Sequence, residues 1–293
     1  MYLQLEIAES DRDKTAFITK YGLYEYAKMP FGLCNTPNTF QRCIELILRG
    51  LQWKTLLVYI DDIVIYSSNM EDHIRTLDEA LGRLSKAGLK LKPSKCDFFK
   101  NEVLYLGHVI SDKGVKPNPS DIDSVKIWKE PKSVKQVQQF QGFCGYYSQF
   151  VKGFSELAAP LSRLTRKEVK LKWDSDCQSA FDKLRQALCM APVLAYPRDG
   201  CMYILDTDAS NIGVGAVLSQ SQDGMEKVIA YGSKQLDAHQ QRYSVTRREL
   251  LAVITFINQY RHYLVGKKFL LRTNHGSLRW LFSFKDPQGQ VAR

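Results

Sequence analysis

The sequence predicts an α/β chain of the α+β kind: a sheet with helices, a helical middle, and a second, mixed α/β layer. Three observations carry that expectation. Residues 56–60 and 63–66 are β-branched and aromatic runs interrupted only by Asp61-Asp62, as two short strands meeting at a bend would be. From about Val115, Pro117, Pro119 and Pro131 punctuate short helical stretches. From Tyr203 onward, strand-like runs lead into a helical pattern over 246–265 and a last strand at Phe269–Thr273, an order that builds a mixed layer.

Taken in order, residues 2–7 alternate like a strand, and residues 15–26 read as a hairpin turning near Gly22. Thr36 is the expected N-cap of a helix, with Pro37 at its first position and Phe40, Ile44, Ile47 and Leu48 at helical spacing. An amphipathic helix is expected over 71–88, ended by Gly88. Short strands follow at 89–91, 96–99 and 103–110. Ser133 caps a helix bearing Val137, Phe140, Phe143, Tyr146, Tyr147 and Phe150, a spacing that predicts core rather than a base-stacking surface. A helix over 176–188 precedes strands at 203–210, 215–220 and 227–231.

Composition narrows the function. The chain has 293 residues, room for two domains with cores of their own. No run is apolar for the length of a membrane span, and the N-terminus has neither the basic region nor the apolar core of a signal peptide. Seven scattered cysteines without a C-x-x-C pair predict free thiols in a reducing intracellular compartment, cytoplasm or nucleus. A net charge of +10 is concentrated in three clusters: Arg83, Lys86, Lys90, Lys92, Lys95 and Lys100; Lys126, Lys129, Lys132 and Lys135; Arg163, Arg166, Lys167, Lys170 and Lys172. Any one cluster reads as a solvated face, but three together favour a polyanionic partner.

Asp61-Asp62 points to the chemistry. An unpaired buried carboxylate costs several kcal/mol, and two neighbours repel each other as well. A pair set in an apolar hairpin therefore suggests a bound cation, and nucleotidyl transfer uses two Mg²⁺ ions roughly 3.5–4 Å apart. The competing reading is a plain turn, although two-residue turns favour Asn-Gly or Asp-Gly.

Tyr59-Ile60-Asp61-Asp62, Met29-Pro30-Phe31-Gly32-Leu33-Cys34-Asn35-Thr36-Pro37 upstream and Leu106-Gly107-His108 downstream together resemble the polymerase palm of gypsy-type LTR retrotransposon reverse transcriptases. The resemblance continues through nearly the whole chain into an RNase H segment. It implies a palm over 1–111, a thumb or connection over 112–172 and an RNase H-like domain over 173–293. It implies Asp61 and Asp62 as catalytic metal ligands, and Tyr2, Phe31, Gly32 and Tyr59 at the nucleotide, although the surroundings of Tyr2 and Phe31 by themselves read as ordinary core. Leu106 and Gly107 fall where the family grips the primer; His108 is expected to be structural. In the RNase H segment it implies Asp208 and Glu249 as catalytic metal ligands, with Asp206 accessory. Thr246 and Glu249 also fit a capping box, which would leave Glu249 closing a helix end. Implied cofactors are two Mg²⁺ per site, with Mn²⁺ as the alternative; implied partners are a template–primer duplex of RNA or DNA and dNTPs, with no membrane.

Three departures stand out. The family's third palm ligand would fall just before Met1, and the chain opens directly on a strand-like run, so a fold cut into at its N-terminus is expected, without its fingers. The family's Thr-Asp-His reads Thr273-Asn274-His275; an amide carries no charge for Mg²⁺, so weak RNase H chemistry is expected. The chain stops at Arg293, before the family's last RNase H aspartate. Two functions follow: an RNA-directed DNA polymerase with RNase H, or a non-catalytic remnant that binds nucleic acid.

Overall fold

The computed structural model describes residues 2–166, 169, 171–276 and 278; Met1, Lys167, Lys170 and residues 279–293, named among the expectations above, lie outside the described residues. The chain divides into two units, one ending at Lys100 and one beginning at Asn101.

In the first unit the expected strand at 2–7 does not form. Tyr2–Gln4 is a single 3₁₀ turn closed by Leu5 N–H to Tyr2 O at 2.9 Å. The Tyr2 ring sits edge-on to both Phe31 and Phe40, at 5.3 Å from each. The backbone reaches a partner only afterwards, through Ile7 N–H to Ala27 O and Met29 N–H to Leu5 O, both 3.0 Å. Strands β1 (Phe17–Thr19) and β2 (Gly22–Tyr24) pair antiparallel around Lys20-Tyr21. Helix α1 (Thr36–Ile47) starts one residue earlier than expected. Asn35 occupies the cap, and Thr36 is inside the helix, buried, its hydroxyl 3.5 Å from Pro30 O.

Strands β3 (Leu56–Tyr59) and β4 (Asp62–Ile65) form the expected hairpin. Helix α2 (Met70–Lys86) is capped by Asn69, whose side chain accepts the Asp72 N–H, and Gly88 at φ +74° ends the element. Its buried stripe is Thr76, Ala80 and Leu84, while Ile74 is exposed. The strands expected at 89–91 and 96–99 are absent. At Lys90 the place of a neighbouring strand is taken by the Gln4 amide, which accepts Lys90 N–H at 2.6 Å and donates to Lys90 O at 3.2 Å. Phe40, Ile44, Leu48, Leu56, Val58 and Leu84 make this unit's core.

The second unit opens with a three-stranded antiparallel sheet, β5 (Glu102–Tyr105), β6 (His108–Ser111) and β7 (Gly114–Pro117). The single strand expected over 103–110 is thus two strands, folded back at Leu106-Gly107. Helices α3 (Pro119–Lys126), α4 (Val134–Tyr146), α5 (Phe154–Leu164) and α6 (Ser175–Cys189) follow. Ser133 caps α4, as expected, accepting Gln136 N–H at 3.3 Å. Phe140, Phe150, Leu161, Phe181 and Leu184 are fully buried among them, so the stripe is core at Val137, Phe140, Tyr147 and Phe150, whereas Phe143 is partly buried and Tyr146 is exposed.

Strands β8 (Tyr203–Ala209), β9 (Gly213–Gln222), β10 (Met225–Gln235) and β11 (Phe269–Thr273) form one sheet in the order β10-β9-β8-β11, with only the β8–β11 pair parallel. The expected helix over 246–265 is α7 (Val245–Gln259) and a short α8 (Arg261–Leu264), separated at Tyr260. Phe256 and Tyr260 close on the sheet at Gly232, where a Cβ would stand 2.6 Å from the Phe256 ring and 2.7 Å from the Tyr260 hydroxyl. Valine and tyrosine of β10, Val228 and Tyr231, also touch the helical core, so helices and sheet share one body. All seven cysteines are free. Among the described residues no helix is long and apolar enough to cross a membrane.

Candidate active sites

The first site is the β3–β4 bend. Tyr59 pairs with Asp62, leaving Ile60-Asp61 as a two-residue turn. Ile60 takes φ +50°, a left-handed conformation that a β-branched residue adopts only under strain. Helix α1 supplies the restraint. The Gln41 amide oxygen accepts Ile60 N–H, and its nitrogen donates to Val58 O at 3.3 Å and to Glu45 Oε1 at 2.7 Å. Asp61 and Asp62 are both exposed, not buried as the apolar flanks suggested. Partial desolvation, then the Asp62 charge, raise the Asp61 carboxyl above its ordinary range, and Lys95 pulls it back. Among the described residues neither side chain is ion-paired or hydrogen-bonded. Two adjacent, unpaired carboxylates fit a divalent cation, which favours anionic oxygen.

Near this bend Tyr2 is half-buried, whereas Phe31 is 70% exposed beside Gly32 at φ +98°. Phe31 is therefore not a core aromatic. Tyr59 is also exposed, at 52%.

The second site lies on the sheet of the second unit. A cleft of about 530 Å³ is lined by Asp206, Asp208 and Arg272 from the strands, by Asn274 just past β11, by Lys152 just before α5 and by Glu156 in its first turn. The fold brings Asp208 and Asn274 together there. Asp206 is not free: Arg272 binds it through two nitrogens and binds Glu226 at 2.7 Å. Glu249 does not line the cleft. It is buried on α7, 5% exposed. The capping box does not form, because Ser244 caps the helix by accepting Arg247 N–H at 3.4 Å. Burial and then the Asp208 charge raise the Glu249 carboxyl, offset in part by His275, the Ala209 N–H and Arg248. Glu249 Oε2 has no hydrogen-bond partner among the described residues. A buried carboxylate oxygen left without a donor is costly, and with unpaired Asp208 it fits a divalent cation. No group of three His, Cys, Asp or Glu that could hold a metal comes together among the described residues.

Several neighbours were not signalled by sequence. Gln41 is one polar residue on an apolar helix face, and only its meeting with Ile60 gives it a role. Arg272 is opposite Asp206 through the parallel β8–β11 register, which no local pattern reports. Among the basic clusters, Arg83, Lys126 and Arg163 are held by Glu79, Asp123 and Asp174. Lys90, Lys92, Lys95, Lys129, Lys132 and Lys135 are exposed and without ion pairs among the described residues.

Comparison with known proteins gives the following. Residues 1–110 match the reverse transcriptase (RNA-dependent DNA polymerase) family, and residues 173–271 match the RNase H-like domain found in reverse transcriptase. The chain is 39% identical over 291 residues to the retrovirus-related Pol polyprotein from transposon 297 of Drosophila melanogaster, covering 99% of this chain and 27% of that one. It is 35% identical over 280 residues to the transposon Tf2-3 polyprotein of Schizosaccharomyces pombe, covering 94% and 21%. The chain thus spans about a quarter of the length of these relatives. Among solved structures, the foamy viral protease-reverse transcriptase in complex with dsDNA superposes with a TM-score of 0.83 at 21% identity, over 97% of this chain and 60% of that one. The same protein with an RNA/DNA hybrid gives 0.82 at 21% identity, over 97% and 38%.

Proposed function

For a chain that belongs to the retrovirus-related Pol polyproteins of gypsy-type LTR retrotransposons, as this one does through its reverse transcriptase and RNase H-like segments, we propose RNA-directed DNA polymerisation at Asp61 and Asp62. The observation that carries this reading is the β3–β4 bend, a strained turn held by Gln41 that presents two unpaired carboxylates side by side. Asp61 and Asp62 would hold Mg²⁺ or Mn²⁺, which when bound lowers the pKa of the primer hydroxyl and neutralises the leaving pyrophosphate. Tyr2, Phe31, Gly32 and Tyr59 position the dNTP. Leu106 and Gly107 hold the primer strand, and the unpaired lysines bind duplex phosphates. Base pairing with the template selects the nucleotide, so no base-reading side chain is needed. The residue ranges 1–111, 112–172 and 173–293 serve as palm, thumb or connection, and RNase H-like domain.

A second reading has its own support. Asn274 stands on the cleft beside Asp208, where an acidic side chain would add charge for a metal. On this reading the cleft binds a duplex without cutting it, and the chain is a nucleic-acid-binding remnant. Metal-dependent primer extension on an RNA template, with Asp61→Asn in parallel, separates the two. Extension by the wild type that disappears in the variant supports polymerisation. Duplex binding that weakens as salt rises, without extension in either protein, supports the remnant.

A further inference from the structure

The turn between β5 and β6 is held in an unfavourable shape by side chains from elsewhere. Tyr105 pairs with His108, so Leu106 and Gly107 are the two turn residues, at φ +46° and +69°. Glycine suits that region; leucine does not, and Asn-Gly is the pair such a turn favours. A residue kept in a sparsely populated conformation persists only where its surroundings over-determine it.

Helix α4 and its C-terminal end provide those surroundings. Tyr146 Oη donates to Leu106 O at 2.5 Å, and His108 Nδ1 is 2.7 Å from the same carbonyl. Gly107 O accepts Asn118 N–H at 3.1 Å and has Tyr147 Oη at 2.8 Å. The Tyr147 proton is shared with Asp121 Oδ2, 2.6 Å away. Burial, then the bond to Asp121, push the Tyr147 phenol above its ordinary range, so it stays protonated. A Cβ on Gly107 would meet the Tyr146 ring at 3.2 Å and the Tyr147 hydroxyl at 3.3 Å, so the glycine is needed for the approach as well as for the backbone. His108 is stacked on Phe150 and packed against both tyrosines, which accounts for it without chemistry. Tyr147 is fully buried, yet Tyr146 is 53% exposed, so a buried anchor and a surface residue act on the same turn.

We propose that Tyr146 and Tyr147 are positioning residues for the primer terminus, fixing the Leu106–Gly107 turn through its two carbonyls. The proposal rests on the reading that this turn holds the primer strand of a template–primer duplex. Neither tyrosine reacts; each acts through the backbone it restrains. Tyr146 is the informative one, because the residue is half-exposed and adds little to the core.

The test uses the full chain and a template–primer carrying 2-aminopurine either at the primer 3′ end or well inside the duplex. In the wild type, binding changes the fluorescence of both probes. In Tyr146→Phe the terminal change is lost while the internal change, the duplex affinity and the melting midpoint match the wild type. Tyr147→Phe gives the same split with a lowered midpoint, since Asp121 loses a donor. If the terminal probe responds in Tyr146→Phe as in the wild type, the positioning role is overturned and duplex binding stands. If both probes fail together in that variant, the tyrosine serves binding in general and the proposal is also overturned. If the wild type moves neither probe and binds no duplex, the primer reading itself fails and takes the proposal with it.

Discussion

The two acidic sites are built in opposite ways. Asp61 and Asp62 are neighbours in the chain, exposed on a two-residue bend, and one hairpin with one helical glutamine is enough to present them. Asp208 and Glu249 are 41 positions apart, one at the end of β8 and one buried on α7, and only the fold of a whole layer brings their charges to bear on each other. The first site therefore depends on local backbone strain, the second on a helix seated at the correct depth on a sheet. Adjacency makes a site easy to read and easy to keep; assembly makes it sensitive to substitutions far from its carboxylates.

That contrast can be broken most directly at Asn274. Asn274→Asp adds an anionic oxygen beside Asp208, and Mg²⁺ affinity of the second site should rise about tenfold or more, roughly 1.4 kcal/mol. Titration calorimetry reads the affinity, and a labelled RNA/DNA hybrid reads any cleavage gained. Unchanged affinity would show that the cleft is not a metal site.

Gly232→Ala comes next. The added methyl has no room against Phe256 and Tyr260, and overpacking of this kind costs about 1–3 kcal/mol. Because those side chains belong to α7 and its end, Glu249 should shift with them. A lowered denaturant midpoint for the second unit, with that of the first unit unchanged, is the expected pattern; an equal fall in both would mean that the two sites are not independent.

Gln41→Leu is the matching test of the first site. It removes the acceptor of the Ile60 N–H and should destabilise the first unit by about 1 kcal/mol, read by urea unfolding. A neutral result would show that the Ile60 conformation needs no help from α1.

Glu249→Gln has the smallest effect and the clearest sign. The raised carboxyl binds its proton more tightly in the folded chain than in the unfolded one. Its contribution to stability is therefore fully present below the ordinary glutamate value of about 4.3 and is lost as pH rises through the raised one. The variant should melt above the wild type at neutral pH, and the gap should close in acid. Mg²⁺ should stabilise the second unit of the wild type more than that of the variant. A gap that widens in acid would reverse the sign and exclude burial as the cause.

Periodicity and turn chemistry made much of the fold legible. The stripe that buries Phe40 and Ile44, the Ser133 cap, the hairpin carrying Asp61-Asp62 and the strand-like runs of the last sheet all follow from residues close together in sequence. The misreadings share a cause. Residues 103–110 read as one strand because nothing in Leu-Gly announces a turn, and much of what holds the turn, the two tyrosine hydroxyls, arrives 40 residues later. Residues 2–7 alternate like a strand, but pairing is confined to one bridge between Glu6 and Lys28, and the Tyr2 ring settles on Phe31 and Phe40. Thr246-x-x-Glu249 has the letters of a capping box, yet α7 begins at Val245 and Ser244 takes the cap.

By itself, then, the sequence determined the family, most of the helices, the strands of the last sheet, and the bend that carries the adjacent aspartates, because each is written in side chains a few positions apart. Tertiary structure alone decided that Asp61 and Asp62 stand exposed, that Glu249 is buried under the influence of Asp208, that Arg272 occupies Asp206, and that Tyr146 and Tyr147 clamp Leu106-Gly107. Burial, register and long-range hydrogen bonds depend on which surfaces meet, and that is settled only when the chain has folded back on itself.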